Sequence, residues 1–466
     1  MTSIYDLVVL GAGPAGESAA ELAAFFGHSV VIVEKNKPGG VVTTTGGAPT
    51  KTLRESMLVL TGFHNREVYG ITVSAPPQLA VEKIAERTRR VAELLQDLTA
   101  QNIARNGVDY MQGMAKVGSN RRVLVTSPGG ENHELFAKNI LVATGSRPFH
   151  PDNISFEDPN VWDSEEFFSP GRRLPKSIFI VGGGPVGVEF ATIFAGLGVP
   201  TTISDSDDRL IHSMDAEMSE LIVKHLKRIG VDVILESMTR AIRRVNDRLE
   251  VTLTNGRSFY PDAVLFAAGR NVNTDGLGLE EAGVELDDRG RIKVDCNYKT
   301  TADGIYAAGD VLGPSLASVA MEQGRIAACK IFGIKIKGVV DPTPVFAVYS
   351  MPEVAGVGLT EEQCRSQGLD YAVGRSDLSL IPRGAISGHG GILKLIFSKK
   401  DRRLLGVHCF GDIASELVGI GQMVIHFNGT ITTFLEVTLN TPTYTYAYKY
   451  AAVDGIRKLG SFKQKH

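Results

Sequence analysis

Two short apolar runs, Leu7–Leu10 and Ile178–Val181, each break at a glycine and give way to a stretch of small and apolar residues. The pattern predicts a strand, a tight turn and a helix in both places. A second apolar run follows each helix and ends in a carboxylate, Glu34 in one copy and Asp205 in the other. From Gly11 to Glu34 and from Gly182 to Asp205 the interval is the same 23 residues. Further on, Val81, Ile84, Val91, Leu94, Leu95 and Leu98 recur at helical spacing among charges. They predict a helix over Leu79–Gly107, too short for the sustained heptads of a coiled coil. Strand-like runs follow at Asp109–Gln112 and Arg122–Thr126, and the turn-rich run Arg147-Pro148-Phe149-His150-Pro151-Asp152 marks a boundary.

The turns themselves carry chemistry. Gly11, Gly13 and Gly16 fall in GxGxxG spacing, as do Gly182, Gly184 and Gly187. Such glycines allow the tight turn, let a pyrophosphate approach the backbone at a helix N-terminus, and pack helix on strand. An acid at the end of the second strand can hold a ribose diol. One glycine pattern alone is a weak signal; two, each completed by strand and acid, predict two dinucleotide sites.

Bulk properties narrow the class. A chain of 466 residues is long for one core and suggests two to four domains. With 43% apolar and 22% charged residues it has an ordinary globular composition. A net charge of −3 argues against a nucleic-acid footprint. No run reaches the ~18 apolar residues of a membrane span, and the N-terminal apolar run is only a strand long, so no signal peptide is read there. Cys296, Cys329, Cys364 and Cys409 form no close pair and are expected to be buried free thiols, suiting a reducing cytoplasm. No histidines stand at metal-ligand spacing, and no metal is expected. His150 and His408 are read as structural.

With these motifs in place, the chain resembles the FAD-dependent pyridine nucleotide-disulfide oxidoreductases, of the dihydrolipoamide dehydrogenase type, over nearly its whole length. Supporting segments come in that family's order. They are Gly39-Gly40, Pro49-Thr50-Lys51, Ala143-Thr144-Gly145-Ser146-Arg147-Pro148, Ala268-Gly269-Arg270-Asn271-Val272-Asn273-Thr274 and Gly304-Ile305-Tyr306-Ala307-Ala308-Gly309-Asp310. The family's redox cysteines would fall at Val42 and Gly47, and neither is cysteine here. Its C-terminal His-Pro-Thr-x-x-Glu reads Thr441-Pro442-Thr443-Tyr444-Thr445-Tyr446. Dithiol chemistry is therefore not expected. Within the family the chain most resembles the soluble pyridine nucleotide transhydrogenases, in Gly145–Pro151, Pro314–Ser318, Leu405–Gly411 and Asn440–Thr443.

The resemblance implies an α/β fold with two Rossmann-like dinucleotide-binding domains and a C-terminal α+β dimerisation domain. The expected boundaries are 1–153 and 284–341 for FAD, 154–283 for NAD(P) and 342–466 for a homodimer interface. Non-covalent FAD would use Gly11, Gly13, Gly16, Glu34, Lys35, Gly40, Lys51, Thr144, Gly145, Asp310 and Ala317. The nicotinamide nucleotide would use Gly182, Gly184, Gly187, Asp205 and Gly269. Lys51 and Glu189 resemble an ion pair beside flavin N5, where a cation favours the electron-rich reduced flavin. Thr43, Thr44 and Thr45 are read as N-capping hydroxyls.

Asp205, followed by Ser206, Asp207 and Asp208, suits a ribose diol better than a 2′-phosphate, so NAD(H) is expected over NADP(H), with the latter left open. Arg209 is discounted as a phosphate ligand. The implied activity is that of an oxidoreductase acting on NADH or NADPH. It passes hydride through flavin N5 to a second nicotinamide nucleotide, without a redox disulfide. Two alternatives stay open: an NADH-dependent reductase of quinones, dyes or dioxygen, and a non-catalytic flavoprotein sensor or complex subunit.

Overall fold

The computed structural model describes residues 4–62, 70, 77–168, 173–336 and 338–460; the side chains of residues 61 and 77–81, Val81 among them, lie outside what is described. The chain forms two compact units, one of residues 1–52, 85–149 and 269–342 and the other of residues 53–84, 150–268 and 343–466.

The first unit is built on a seven-stranded sheet. Its order is Asp109–Gln112, Val30–Glu34, Ile4–Leu10, Asn132–Val142, Arg122–Thr126 and Met114–Val117, with Ile305–Ala307 also beside Asn132–Val142. The strands around Ile4–Leu10 run parallel, while Arg122–Thr126 and Met114–Val117 add an antiparallel edge. Leu7, Val8 and Val9 are fully buried because helices or loops cover both faces, which is why these strands read as unbroken apolar runs. Helix Pro14–Phe25 lies against helix Ala317–Phe332 so closely that a Cβ on Gly324 would strike the Ala15 carbonyl.

The second unit holds a five-stranded parallel sheet ordered Asp232–Ile234, Thr201–Ser204, Ile178–Val181, Ala263–Phe266 and Val161–Asp163. A separate five-stranded antiparallel sheet spans Phe346–Val348, Glu353–Gly358, Leu404–Gly411, Gly391–Ser398 and Tyr371–Asp377. Helices Ala414–His426 and Ala447–Lys458 pack on it around Tyr448, Phe434 and Phe397. Lys394 of this sheet is 1% exposed and meets Asp215 at 2.7 Å, Glu217 at 3.0 Å and Glu361 at 2.5 Å. Burial alone would lower its ammonium, but the hydrogen bond and charge of Asp215, with Glu361 and Glu217, hold it above the ordinary lysine value.

The architecture is thus the α/β arrangement read from the sequence, with two Rossmann-like sheets and a C-terminal α+β portion. The helix expected over Leu79–Gly107 is Pro77–Arg105; Ile103 is buried while Leu94 and Leu98 are exposed. No helix among the described residues is long and apolar enough to cross a membrane. Three cysteines are buried as expected, but Cys296 is exposed; all four are free.

Candidate functional site: two turn–acid clasps

In the first unit, strand Ile4–Leu10 ends at Gly11, whose φ of +105° suits glycine and whose Cβ, if present, would collide with Ala143. Helix Pro14–Phe25 starts from Gly13 with proline at its first position and no side-chain cap. Its first-turn N–H groups therefore have no intrahelical acceptor, and Gly13 brings no capping side chain to them. A Cβ on Gly13 would find only Gly40 Cα, at 3.9 Å, so the outer side of the turn is an open cradle. Glu34 is buried at the end of Val30–Glu34. Its Oε2 accepts the Ala12 N–H at 2.8 Å and its Oε1 the Asn36 N–H at 2.8 Å. The Ala12 carbonyl accepts from Gly39 N–H at 2.7 Å. Lys35 is exposed.

The other expected flavin residues gather in the same unit, and with them Gly269, which was expected at the nicotinamide nucleotide. Ser146–Pro148 pairs with Arg270–Val272 as a small antiparallel ribbon. Thr144 Oγ1 donates to Asn273 O at 2.7 Å, Gly145 O accepts Asn273 N–H at 2.9 Å, and Gly269 O accepts Phe149 N–H at 3.1 Å. Asp310 opens a short 3-10 turn, Asp310–Leu312, that precedes helix Ala317–Phe332. Its Oδ2 accepts Ser146 Oγ–H at 2.6 Å; its Oδ1 accepts Ser315 N–H at 3.0 Å and Oγ–H at 3.2 Å. Arg270 Nε donates to Ser146 Oγ at 2.8 Å. Roles for Ser146, Ser315 and Arg270 escaped the sequence reading: Ser146 lies 164 positions from Asp310 and Arg270 lies 124 from Ser146, beyond any spacing rule, while Ser315, five positions from Asp310, was read only as part of a resembling stretch.

In the second unit Gly182 repeats the φ of +105°, with a Cβ placed 2.7 Å from Ala267 O. Helix Pro185–Gly196 again starts from an uncapped glycine, Gly184, followed by proline, and a Cβ on Gly184 would meet nothing within 4 Å. In both units the third glycine is forced: a Cβ on Gly16 or Gly187 would strike the carbonyl of Gly11 or Gly182. Asp205 accepts the Gly183 N–H through Oδ2 and the Asp207 N–H through Oδ1 at 2.9 Å. The Gly183 carbonyl accepts from Ile211 N–H at 2.8 Å. Ser206, Asp207 and Asp208 are exposed, and Arg209 Nη2 is turned to the His212 carbonyl at 3.1 Å.

Lys51 and Glu189 stand in different units. Lys51 lies on helix Ala48–Thr61 and its Nζ donates to Thr50 Oγ1 at 3.3 Å. Glu189 is buried on helix Pro185–Gly196, its Oε1 accepting Tyr349 N–H at 3.0 Å. Three residues after Lys51, Arg54 forms a buried pair with Glu353 at 3.1 Å, which the sequence reading missed.

Val42 and Gly47 do come together: a Cβ on Gly47 would lie 2.5 Å from Val42 O. The threonines between them do not cap. Thr43 and Thr44 donate back to the Gly40 carbonyl, at 3.4 Å and 2.9 Å, and the capping expectation is corrected accordingly. Tyr444, in the C-terminal run, shares a 2.6 Å hydrogen bond with Ser387, and burial raises its phenol. His150 stacks on Phe156 and meets Asp163 at 2.8 Å; His408 is buried against Leu359 O at 2.9 Å.

Two uncapped helix starts facing open glycine cradles, each with an acid locked beside it, define a protein that binds two dinucleotides. The chain belongs to the pyridine nucleotide-disulfide oxidoreductases: the family pattern of that name matches residues 5–324 and its dimerisation domain matches residues 345–452. That family is one of flavoprotein oxidoreductases, and membership implies FAD and a nicotinamide nucleotide. The chain is 37% identical to a soluble pyridine nucleotide transhydrogenase of Mycobacterium tuberculosis over 464 residues, covering 99% of each protein. It is 36% identical to that of Pseudomonas aeruginosa over 461 residues, 98% of this chain and 99% of the relative. Among solved structures, LpdA of Mycobacterium tuberculosis matches with a TM-score of 0.89 and 26% identity over 97% of this chain and 99% of that one. The HOCl-induced flavoprotein disulfide reductase RclA of Escherichia coli, as its Cu(II) complex, gives 0.87 and 27% over the same shares.

Proposed function

We propose that this chain is a soluble transhydrogenase-type flavoenzyme, moving hydride between nicotinamide nucleotides without a redox disulfide. When bound, FAD supplies the two-electron carrier between the donor and acceptor nucleotides. The residues do the rest by orientation. The first-turn N–H groups behind Gly13 and Gly184 hold pyrophosphates, Glu34 and Asp205 each offer remaining carboxylate lone pairs to a ribose diol, and Asp310 with Ser146 supports the ribityl chain. Lys51 is assigned as the cation that favours reduced flavin, with Glu189 as its charge partner; the family motif positions support this pairing. Residues 1–153 and 284–341 are assigned to FAD, 154–283 to the nucleotide and 342–466 to a homodimer interface, in a cytoplasmic enzyme. The observation that carries the reading is the duplicated turn–acid clasp in a chain with no cysteine before Cys296.

Asp205, flanked by exposed Asp207 and Asp208, favours NAD(H) over NADP(H). The same acids support a second reading, an NADH-dependent reductase of a quinone, dye or dioxygen. Anaerobic steady-state assays separate the two. The proposal expects FAD-dependent formation of thio-NADH from NADH and thio-NAD+. NADH oxidation by quinone or dioxygen with no transfer to thio-NAD+ would select the second reading. No turnover with any acceptor would leave a non-catalytic flavoprotein.

A further inference from the structure

The peptide between the first two glycines is held on both sides in each clasp. In the first unit Ala12 fills this place, and the acid that reaches its N–H is a glutamate, Glu34. In the second unit the place is Gly183 and the acid is an aspartate, Asp205. A Cβ on Gly183 would stand 2.8 Å from Asp205 Oδ2, 3.0 Å from Asp205 Cβ, and in collision with the buried Leu210 side chain. Ala12 carries such a Cβ in the buried core. The extra methylene of Glu34 lets its carboxylate reach the N–H from farther back.

From these contacts we infer that Gly183 is a positioning residue for nucleotide choice: its missing side chain lets the short acid Asp205 lie against the turn, where it selects a free ribose diol. This rests on assigning the Gly182–Gly187 turn to the nicotinamide nucleotide. Gly183 also anchors the whole discriminating loop, because Asp205 takes its N–H and Ile211 takes its carbonyl. Ser206, Asp207, Asp208 and Arg209 lie between those anchors. Residue 183 and residue 205 therefore form a matched pair, glycine with aspartate here and alanine with glutamate in the first unit.

The test is a double-variant cycle on the FAD-loaded enzyme, with Gly183→Ala, Asp205→Glu and both together. Gly183→Ala is expected to raise KM for NADH about tenfold, the worth of one displaced hydrogen bond, with kcat held. KM for NADPH should hardly move, so nucleotide preference falls by the same factor. Asp205→Glu alone should also weaken NADH, and the double variant should bind NADH more tightly than either single change. Equal losses for NADH and NADPH, or a double variant no better than Gly183→Ala, would overturn the inference. If Gly183→Ala does not fold, a double variant weaker than Asp205→Glu overturns it as well. Asp205→Asn with an unchanged KM for NADH would instead remove the nucleotide assignment, and the inference with it.

Discussion

The Gly11 and Gly182 units use one backbone solution with different side chains. Both place the first glycine at a φ of +105° and start an uncapped helix with glycine and proline. Both spend a carboxylate on two backbone N–H groups and tie the middle peptide's carbonyl to the loop after the acid. That carbonyl partner is Gly39 in the first unit and Ile211 in the second. Gly39 adopts its φ of +98° freely, whereas Ile211 is a buried β-branched residue at +49°, a costly conformation that surrounding packing must enforce. The difference teaches that the turn is interchangeable and the loop after the acid is not. The first loop continues into Gly40, beside Gly13, while the second carries the exposed acids Asp207 and Asp208.

The largest expected effect tests whether the second unit depends on its buried charges. Lys394→Met leaves the buried Asp215 without its cation, while Glu217 and Glu361 keep only Arg375, at 2.8 Å and 3.4 Å. Stability should fall by about 3–5 kcal/mol, read as a lower thermal midpoint. An unchanged midpoint would show that the cluster is not needed to hold that unit. Next come the third glycines. Gly16→Val should yield protein without FAD, while Gly187→Val should keep FAD and lose reduction by NADH, each Cβ branch displacing a carbonyl. Loss of FAD in both variants, measured by flavin absorbance, would erase the assignment of one cofactor to each turn.

A smaller effect is expected from Asp205→Ser with Asp207→Arg. Preference should move toward NADPH by about 1–3 kcal/mol, the worth of a charge-assisted hydrogen bond, seen in the ratio of kcat/KM values. A wild-type enzyme that already prefers NADPH would refute the ribose contact.

The smallest concerns Glu17, whose counterpart in the second unit is Val188. Burial, with the nearby Glu21 charge and against a hydrogen bond from Thr99, pushes the Glu17 carboxyl up to about 7. The folded chain then binds this proton more tightly than the unfolded chain does. Its contribution to stability is therefore greatest below the unfolded carboxylate value near 4.5 and declines as pH rises to about 7. Glu17→Val should flatten that part of the stability–pH profile, and an unaltered profile would show that Glu17 does not titrate there.

The glycine spacing, both acids and the strands at Asp109–Gln112 and Arg122–Thr126 were legible because strand and turn signals are local. The partners of Asp310 were not, since Ser146 reaches it only through the folded sheet. Nor was the cage around Lys394, whose carboxylates come from distant parts of the chain. Thr43 and Thr44 misled for a different reason. A hydroxyl near a helix start can donate to a carbonyl as readily as it can cap an N–H, and composition does not distinguish the two. The glycine–aspartate match at residues 183 and 205 became visible only when a Cβ could be placed beside a carboxylate.

Hydride exchange between nucleotides through a flavin, with no sulfur relay, is what the proposed function requires. A single-turnover experiment addresses it directly: FAD-loaded enzyme is titrated anaerobically with NADH and then mixed with thio-NAD+. Direct bleaching of the flavin without a long-wavelength thiolate-to-flavin band is expected, followed by full reoxidation with one thio-NADH formed per flavin. A charge-transfer band at the two-electron level, or reduced flavin that persists in excess thio-NAD+, would contradict it.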